Sequence, residues 1–551
     1  MSGMVDSGLK DGSNNMESSA VQTNNIPSNT LSGTSSNNLS DTSSNSYKSS
    51  SESASDESAS ESTSDESSNK MERSLTKRHV QFIAIGGTIG TGLFLGSGKS
   101  ISLTGPSIVF VYIIVGFIMF LLMRAIGELM YKDPNQHTFI SFITRHLGKG
   151  WGNFAGWSYW MVLVLIGMSE ITAVSTYCVT FFQTFNIDVS NWKWLIEVAF
   201  LAILVSINLI AVKLFGETEF WFSMIKITLI VALIATAIVM VVIGYHYPAT
   251  KIHGGVINPA GHVGLDNIFN NFSLMPNGWV AFLMSFQMVF YAYQLIEFVG
   301  VTVSETKNPR KVLPKAINEI ITRILVFYVG ALVAIMLIVP WQRFKATNAE
   351  GTFMSPFIMV FQYAGIHWAS ALVFFVVITA AASALNSLLY SAGRHMYQIA
   401  LESQTQLLSK LSKVSKTKVP ARAILFSSAL ILLSPVINSI PGVHGAFIMF
   451  ASASSAVIIM IYILIMVTHM KYRKSPDFMK NGFLMPHYKL LDSLTIAFFA
   501  FVYITLFISD DTRGSAIGGL IWLVLFGGYC ALHQRWQNRD LAKAVKNNHL
   551  R

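Results

Sequence analysis

Twelve apolar runs, each long enough to cross a bilayer as a helix, constrain this chain more than any other feature. Bounded by charges or by Gly/Pro punctuation, they fall at about 80–104, 106–127, 154–182, 194–212, 219–244, 279–302, 322–341, 366–390, 423–440, 444–468, 490–508 and 514–533. A hydrocarbon core of about 30 Å takes about 20 helical residues. Every backbone N–H and C=O in lipid also needs an internal partner, so runs of this length read as helices. Of the 551 residues, 52% are hydrophobic and 12% charged, whereas a soluble domain carries roughly 25% charged residues. The expectation is an all-α membrane protein with twelve transmembrane helices.

Lysine and arginine give an independent test of that count. With both termini on the cytoplasmic side, 30 of them fall in inside segments and 6 in outside segments, the bias that cytoplasmic loops carry. The net charge of +10 therefore reads as anchoring to the cytoplasmic leaflet and is no evidence for a nucleic-acid partner. Residues 1–70 are a different material, rich in Ser, Asn, Thr and acids and almost without large apolar side chains. They cannot bury enough surface to offset chain entropy and are expected to form a disordered cytoplasmic tail. With no apolar h-region and an acidic character, they are expected to be neither a signal peptide nor a transit peptide. A second short cytoplasmic tail is expected at 541–551, leaving 71–540 as the transmembrane domain. Cys178 and Cys530 both lie in apolar runs, so no disulfide framework is expected. No His/Cys/acid group has metal-ligand spacing and no nucleophile–base constellation is present, so neither a metal, another cofactor nor an enzyme is expected.

The stretch GGTIGTGLFLGSGKS, Gly86 to Ser100, ends like a nucleotide-binding loop. Such a loop needs a glycine five residues before the final Gly-Lys-Ser, and that position is Leu93. The glycines instead mark a helix of weak propensity inside the bilayer, whose freed backbone groups need partners. In transporters built from internal repeats, such breaks recur in corresponding helices of the two halves and form the substrate site near the midplane. The partner would be the sixth run, around MVFYAYQLIEFVG (Met288 to Gly300), which offers no glycine at the break itself. A glycine face for close helix packing is the other reading.

Ionisable side chains at membrane depth are costly and mark function by default. Once the inside and outside segments and the tail residues Lys10 and Lys48 are set aside, the one basic residue left is Lys226, in the middle of the fifth run, and desolvation disfavours a lysine's charged form, which suits it to proton exchange. The alternative is a permanently paired structural cation. Glu170 and Glu297 stand open between proton relay and helix packing. Glu128 is expected to be exposed near the cytoplasmic interface, and Glu197 to serve packing near the outer end of the fourth run.

Several motifs then converge on one pattern: RHVQFIAIGGTIGTGLFLGSG, RAIGEL, FGETEFWFSMIKI (Phe215 to Ile227), IEFVGVTVSETKNPRKVLPKAI (Ile296 to Ile317) and AASALNSLLYSAGR (Ala381 to Arg394). In this order they resemble the amino acid transporter family of the amino acid–polyamine–organocation superfamily. The likeness covers essentially everything after Arg73, and the segments SGKSISLTGPSIVFVYIIVGFIMFLLMRAIGEL and SDDTRG are similar to the bacterial D-serine/D-alanine/glycine permeases. The resemblance implies a LeuT-like five-plus-five inverted repeat, about 80–244 and 279–468, with extra helices at 490–533, broken helices 1 and 6, and alternating access in a plasma membrane. It also implies that Ile89, Thr91 and Gly92 present N–H groups to a substrate carboxylate. Carbonyls of Tyr291, Ala292, Tyr293 and Gln294 would receive its ammonium, with Tyr293 as a gate. Lys226 would act as the proton-sensitive substitute for a sodium ion, and Ser383, Asn386 and Ser387 as weaker lining residues. One departure stands out, because Leu295 occupies the place where relatives carry glycine, and it is expected to reshape the side-chain pocket. The function so implied is proton symport of small neutral amino acids such as alanine, serine and glycine, including D-forms. The alternatives are a same-fold permease or exchanger for larger or aromatic neutral amino acids, or a non-transporting sensor.

Overall fold

The computed structural model describes residues 89–548 apart from 135, 137, 184, 211, 252–256, 259, 271, 299–307, 346–354, 364–366, 404 and 441–444. The Ser-rich segment 1–70 and the glycines Gly86 and Gly87 lie outside the described residues. The principal helices are α1 (Thr91–Phe94), α2 (Gly96–Thr104), α3 (Ile108–Lys132), α4 (Ile140–Leu147), α5 (Lys149–Gln183) and α6 (Lys193–Ile210). They continue as α7 (Val212–Val242), α8 (Gly278–Ala292), α9 (Pro309–Arg323), α10 (Ala331–Ile338), α11 (Pro356–Tyr363) and α12 (His367–Glu402). The last are α13 (Ala421–Ile431), α14 (Leu433–Asn438), α15 (Ala446–Lys474), α16 (Tyr488–Thr505), α17 (Asp510–Trp522) and α18 (Gly528–Asn548). Short π-helical stretches, Ile324–Gly330 and Leu523–Gly527, join α9 to α10 and α17 to α18. The strands among the described residues are two antiparallel pairs of two residues each, between α7 and α8.

Among the described residues, ten helical segments are long and apolar enough to cross a membrane, and α8 is a shorter apolar helix. The difference from twelve runs arises at two places. Thr91–Lys132 passes continuously through the first two runs, turning at Gly105, whose φ of +59° and closeness to the Trp341 ring admit only glycine without strain. The sixth run gives the 15-residue α8 and then leaves the helix. Other boundaries shift outward: α7 begins at Val212 rather than near 219, and α18 runs on to Asn548 through most of the segment expected as a tail. Gly98, Lys99 and Ser100 sit within α2, where Ser100 bonds back to the Gly96 carbonyl and Lys99 pairs with Asp511 at 2.9 Å. A loop around phosphate has no place there.

Helix α5 is the hub. It packs along both α12 and α15, and 94% of its most apolar window is buried, against 28% for α16 and 22% for the α17–α18 segment. Around this core, large apolar side chains such as Phe117, Ile203, Ile238 and Val242 face outward. Apolar exposure of that extent is suited to lipid.

Glu128 departs from expectation. It is 2% exposed, because Arg473 from α15 reaches both of its oxygens at 2.5 and 2.7 Å. The backbone N–H of Met485 (2.7 Å) and the His469 ring (3.3 Å) join them, and His469 in turn meets Asp492 of α16 at 2.8 Å. The connection from α15 to α16 thus folds back over the C-terminal end of α3, covering a carboxylate that sequence position alone would leave in solvent. Glu197, also buried, accepts bonds from Ser175 and Asn438 and so ties α5, α6 and α14 together.

Candidate functional site

The start of α1 and the end of α8 meet face to face. A Cβ placed on Gly92 would lie 2.5 Å from the Ala292 Cα, so α1 and the end of α8 approach backbone to backbone, a contact that only glycine permits. Helix α8 stops at Ala292, and residues 293–297 form turns. Leu295 sits in that stretch with φ +68°, a left-handed conformation costing a side-chain-bearing residue roughly 1–2 kcal/mol. The backbone at this position is one that glycine adopts without strain, and in this chain a leucine holds it.

At the start of α1, the N–H of Thr91 donates to Oε1 of Glu170 at 3.4 Å, and the Thr91 hydroxyl donates to the same oxygen at 2.8 Å. A carboxylate thus stands where a helix N-terminus offers unpaired N–H groups and positive dipole. The other oxygen of Glu170, fully buried, has no hydrogen-bond partner among the described residues. Tyr291 hydrogen-bonds Ser169, one residue before Glu170 on α5.

Lys226 is fully buried and donates to the Ile89 carbonyl (3.2 Å), two residues before α1, and to Ser383 Oγ (2.9 Å). Ser383 in turn donates to Glu219 Oε1 at 2.6 Å, and Asn386 reaches the other oxygen of Glu219 at 3.5 Å while accepting from Asn208 at 2.8 Å. Lys226 and Glu219 stand 4.0 Å apart with both side chains wholly buried. Sequence reasoning passed over Glu219 because it stood at a run boundary. The available signal was its spacing, since i and i+7 on one helix share a face. Ser383 and Asn386, expected to line the substrate pocket, are placed at this charge pair.

The remaining expected residues fall into two further groups. Tyr293 stacks on Tyr328 (ring centroids 4.7 Å apart) and donates to the Tyr112 carbonyl at 3.1 Å. Tyr328 itself donates to the Ala292 carbonyl at 3.2 Å, and the Tyr291 carbonyl accepts the Gln294 N–H at 3.1 Å. The Gln294 side chain is committed to α15, donating to Ser455 at 2.6 Å and accepting from Ser454 at 3.1 Å. Glu297 accepts from Tyr462 of α15 at 2.7 Å, a partner set distinct from those of Lys226 and Glu170.

Comparison with known proteins places this arrangement. The sequence profile of the amino acid permeases matches residues 79–541. The chain is 44% identical over 462 residues to the serine permease SerP1 of Lactococcus lactis, covering 84% of this chain and 97% of that one. It is 45% identical over 456 residues to the DL-alanine permease SerP2 of the same organism, covering 83% and 94%. It is 39% identical over 460 residues to the D-serine/D-alanine/glycine transporter of Escherichia coli K12, covering 83% and 93%. With a family match over residues 79–541 and relatives at this identity, the chain belongs to the amino acid permease family.

Proposed function

We propose that this permease imports small neutral amino acids such as alanine, serine and glycine, D-forms included, by proton symport with alternating access across the plasma membrane. The observation that carries this reading is the junction of the α1 N-terminus with the end of α8, flanked by the buried Glu170 and Lys226. The names of the relatives, which are permeases of serine, alanine and glycine, support the substrate class. The substrate carboxylate takes the N–H groups of Ile89, Thr91 and Gly92, and Glu170 gives up Thr91 as it does so. The ammonium takes carbonyls between Tyr291 and Gln294. Lys226, held on the Ile89 carbonyl, couples its protonation to the conformation of the broken helix. Glu297 and Tyr462 form a second polar group against α15 that moves with the sixth helix. Twelve spans in a five-plus-five inverted repeat, with both termini cytoplasmic, complete the proposed architecture.

The test is uptake of radiolabelled alanine, serine, glycine and phenylalanine into proteoliposomes, with and without an inward proton gradient. Accumulation of the three small substrates above equilibrium, only with the gradient, is the expected result. Uptake of alanine that never exceeds equilibrium under the gradient overturns the symport reading, and a preference for phenylalanine overturns the substrate class.

A further inference from the structure

We propose that Glu219 is the group to which Lys226 passes its proton, through the hydroxyl of Ser383, on the way to the cytoplasm. This rests on the proton-symport reading above and names the route that reading leaves open.

The donor directions already run one way. Lys226 Nζ donates to Ser383 Oγ, and Ser383 Oγ donates to Glu219 Oε1. In the transfer an N–H bond of the ammonium breaks and its proton joins the Ser383 oxygen. The original Ser383 hydrogen leaves for Glu219, so a neutral amine, an intact hydroxyl and a neutral carboxylic acid remain. The cluster's net charge is the same before and after. In a wholly buried site the ion pair carries the full desolvation cost of two charges, so a neutral pair competes with it and the two groups titrate as a unit.

The geometry also gives the route a direction. Glu219 lies seven residues, or about 10 Å of helix rise, from Lys226 toward the start of α7. Asn386 lies one turn beyond Ser383 on α12, and Asn208 lies two residues from the end of α6 at Ile210. All three elements carry the chain of contacts toward the ends where the Lys/Arg pattern puts the cytoplasm. The groups facing Glu219 from α12 are Ser383, Asn386 and Ser387, all uncharged. The other carboxylate acting on Lys226 is Glu170, from α5 on the side of the helix break. Lys226 thus stands between an acid at the substrate junction and an acid on the inner side.

The test uses the full chain in proteoliposomes, comparing wild type with Glu219→Gln, Glu219→Asp and Ser383→Ala. The readouts are accumulation of radiolabelled alanine under an inward proton gradient and internal pH from a trapped dye. Glutamine keeps the size of the side chain and an oxygen for Ser383, though its amide nitrogen meets the Asn386 donor, and it cannot be protonated at neutral pH, whereas aspartate keeps the acid and loosens the bonds. A proton role therefore ranks Asp above Gln, and a packing role ranks them the other way. The expected result is that Glu219→Gln loses about a hundredfold of gradient-driven alanine accumulation together with the alanine-dependent acidification, and that Glu219→Asp regains most of both. Ser383→Ala interrupts the chain with both charged partners in place and shows the same loss. It decides the matter alone if the Glu219 variants fail to reach the membrane. Wild-type accumulation in Glu219→Gln or in Ser383→Ala overturns the route. In a preparation whose wild type shows no gradient-driven accumulation, the symport reading itself is overturned, and this one with it.

Discussion

Leu295 shows how one residue joins backbone strain to selectivity. Its φ of +68° sets a conformation that a Cβ resists, yet its side chain is 5% exposed and contributes buried surface in return. Substitution by Ala and by Gly removes that surface nearly equally, so comparing the two isolates the backbone term. Glycine loses more freedom on folding, roughly 0.5–1 kcal/mol, but escapes the roughly 1–2 kcal/mol left-handed penalty. Leu295→Gly is therefore expected to be the more stable of the two by up to about 1 kcal/mol, the reverse of the order in a helix. Thermal unfolding in detergent checks this. In the same preparations, Leu295→Gly is expected to let phenylalanine compete better against alanine uptake, and an unchanged competition profile removes residue 295 from the pocket wall.

At the scale of elements, the C-terminal ends of α3 and α15 and the N-terminal end of α16 are fastened by Glu128, Arg473, His469 and Asp492. Arg473 is 9% and Glu128 1% exposed at the side chain, so screening by water is slight. Removing one partner of such a pair leaves a buried charge, at a cost of about 3–5 kcal/mol. Arg473→Met is expected to destabilise the protein by that amount, and adding Glu128→Gln to recover part of it. A double-mutant cycle on thermal unfolding gives the coupling, and additive effects would show that the two side chains do not interact. This fastening was not legible in the sequence. Glu128 sat at the end of an apolar run, and what buries it is a connection folding back from 345 residues further along the chain. Periodicity and hydropathy read a helix's own length and faces well, which is why the apolar helices were visible. They carry no information about which loop covers which helix end. The close approach at Gly92 was half legible: the run of glycines allowed a close backbone contact, but the partner backbone at Ala292 is a tertiary fact.

For the whole molecule, one charged side chain deep in an apolar protein is stable only as part of a balanced set, and this bears on the proposed proton coupling. The sequence singled out Lys226 by subtraction, every other basic residue having a place at a membrane face or in the tail. Its counter-charge Glu219 stayed hidden because α7 begins well before the apolar run does. Lys226→Ala alone would leave Glu219 wholly buried without its cation, so the variant is expected to unfold at lower temperature than wild type. Lys226→Ala combined with Glu219→Gln removes both charges and is expected to regain about 1–3 kcal/mol. Stability and transport then part company: the double variant folds, yet neither it nor the single variant accumulates alanine against its gradient when a proton gradient is imposed. Thermal unfolding and proteoliposome uptake, run on the same three proteins, check both halves. Uphill accumulation by the double variant would mean that Lys226 balances charge and carries no proton.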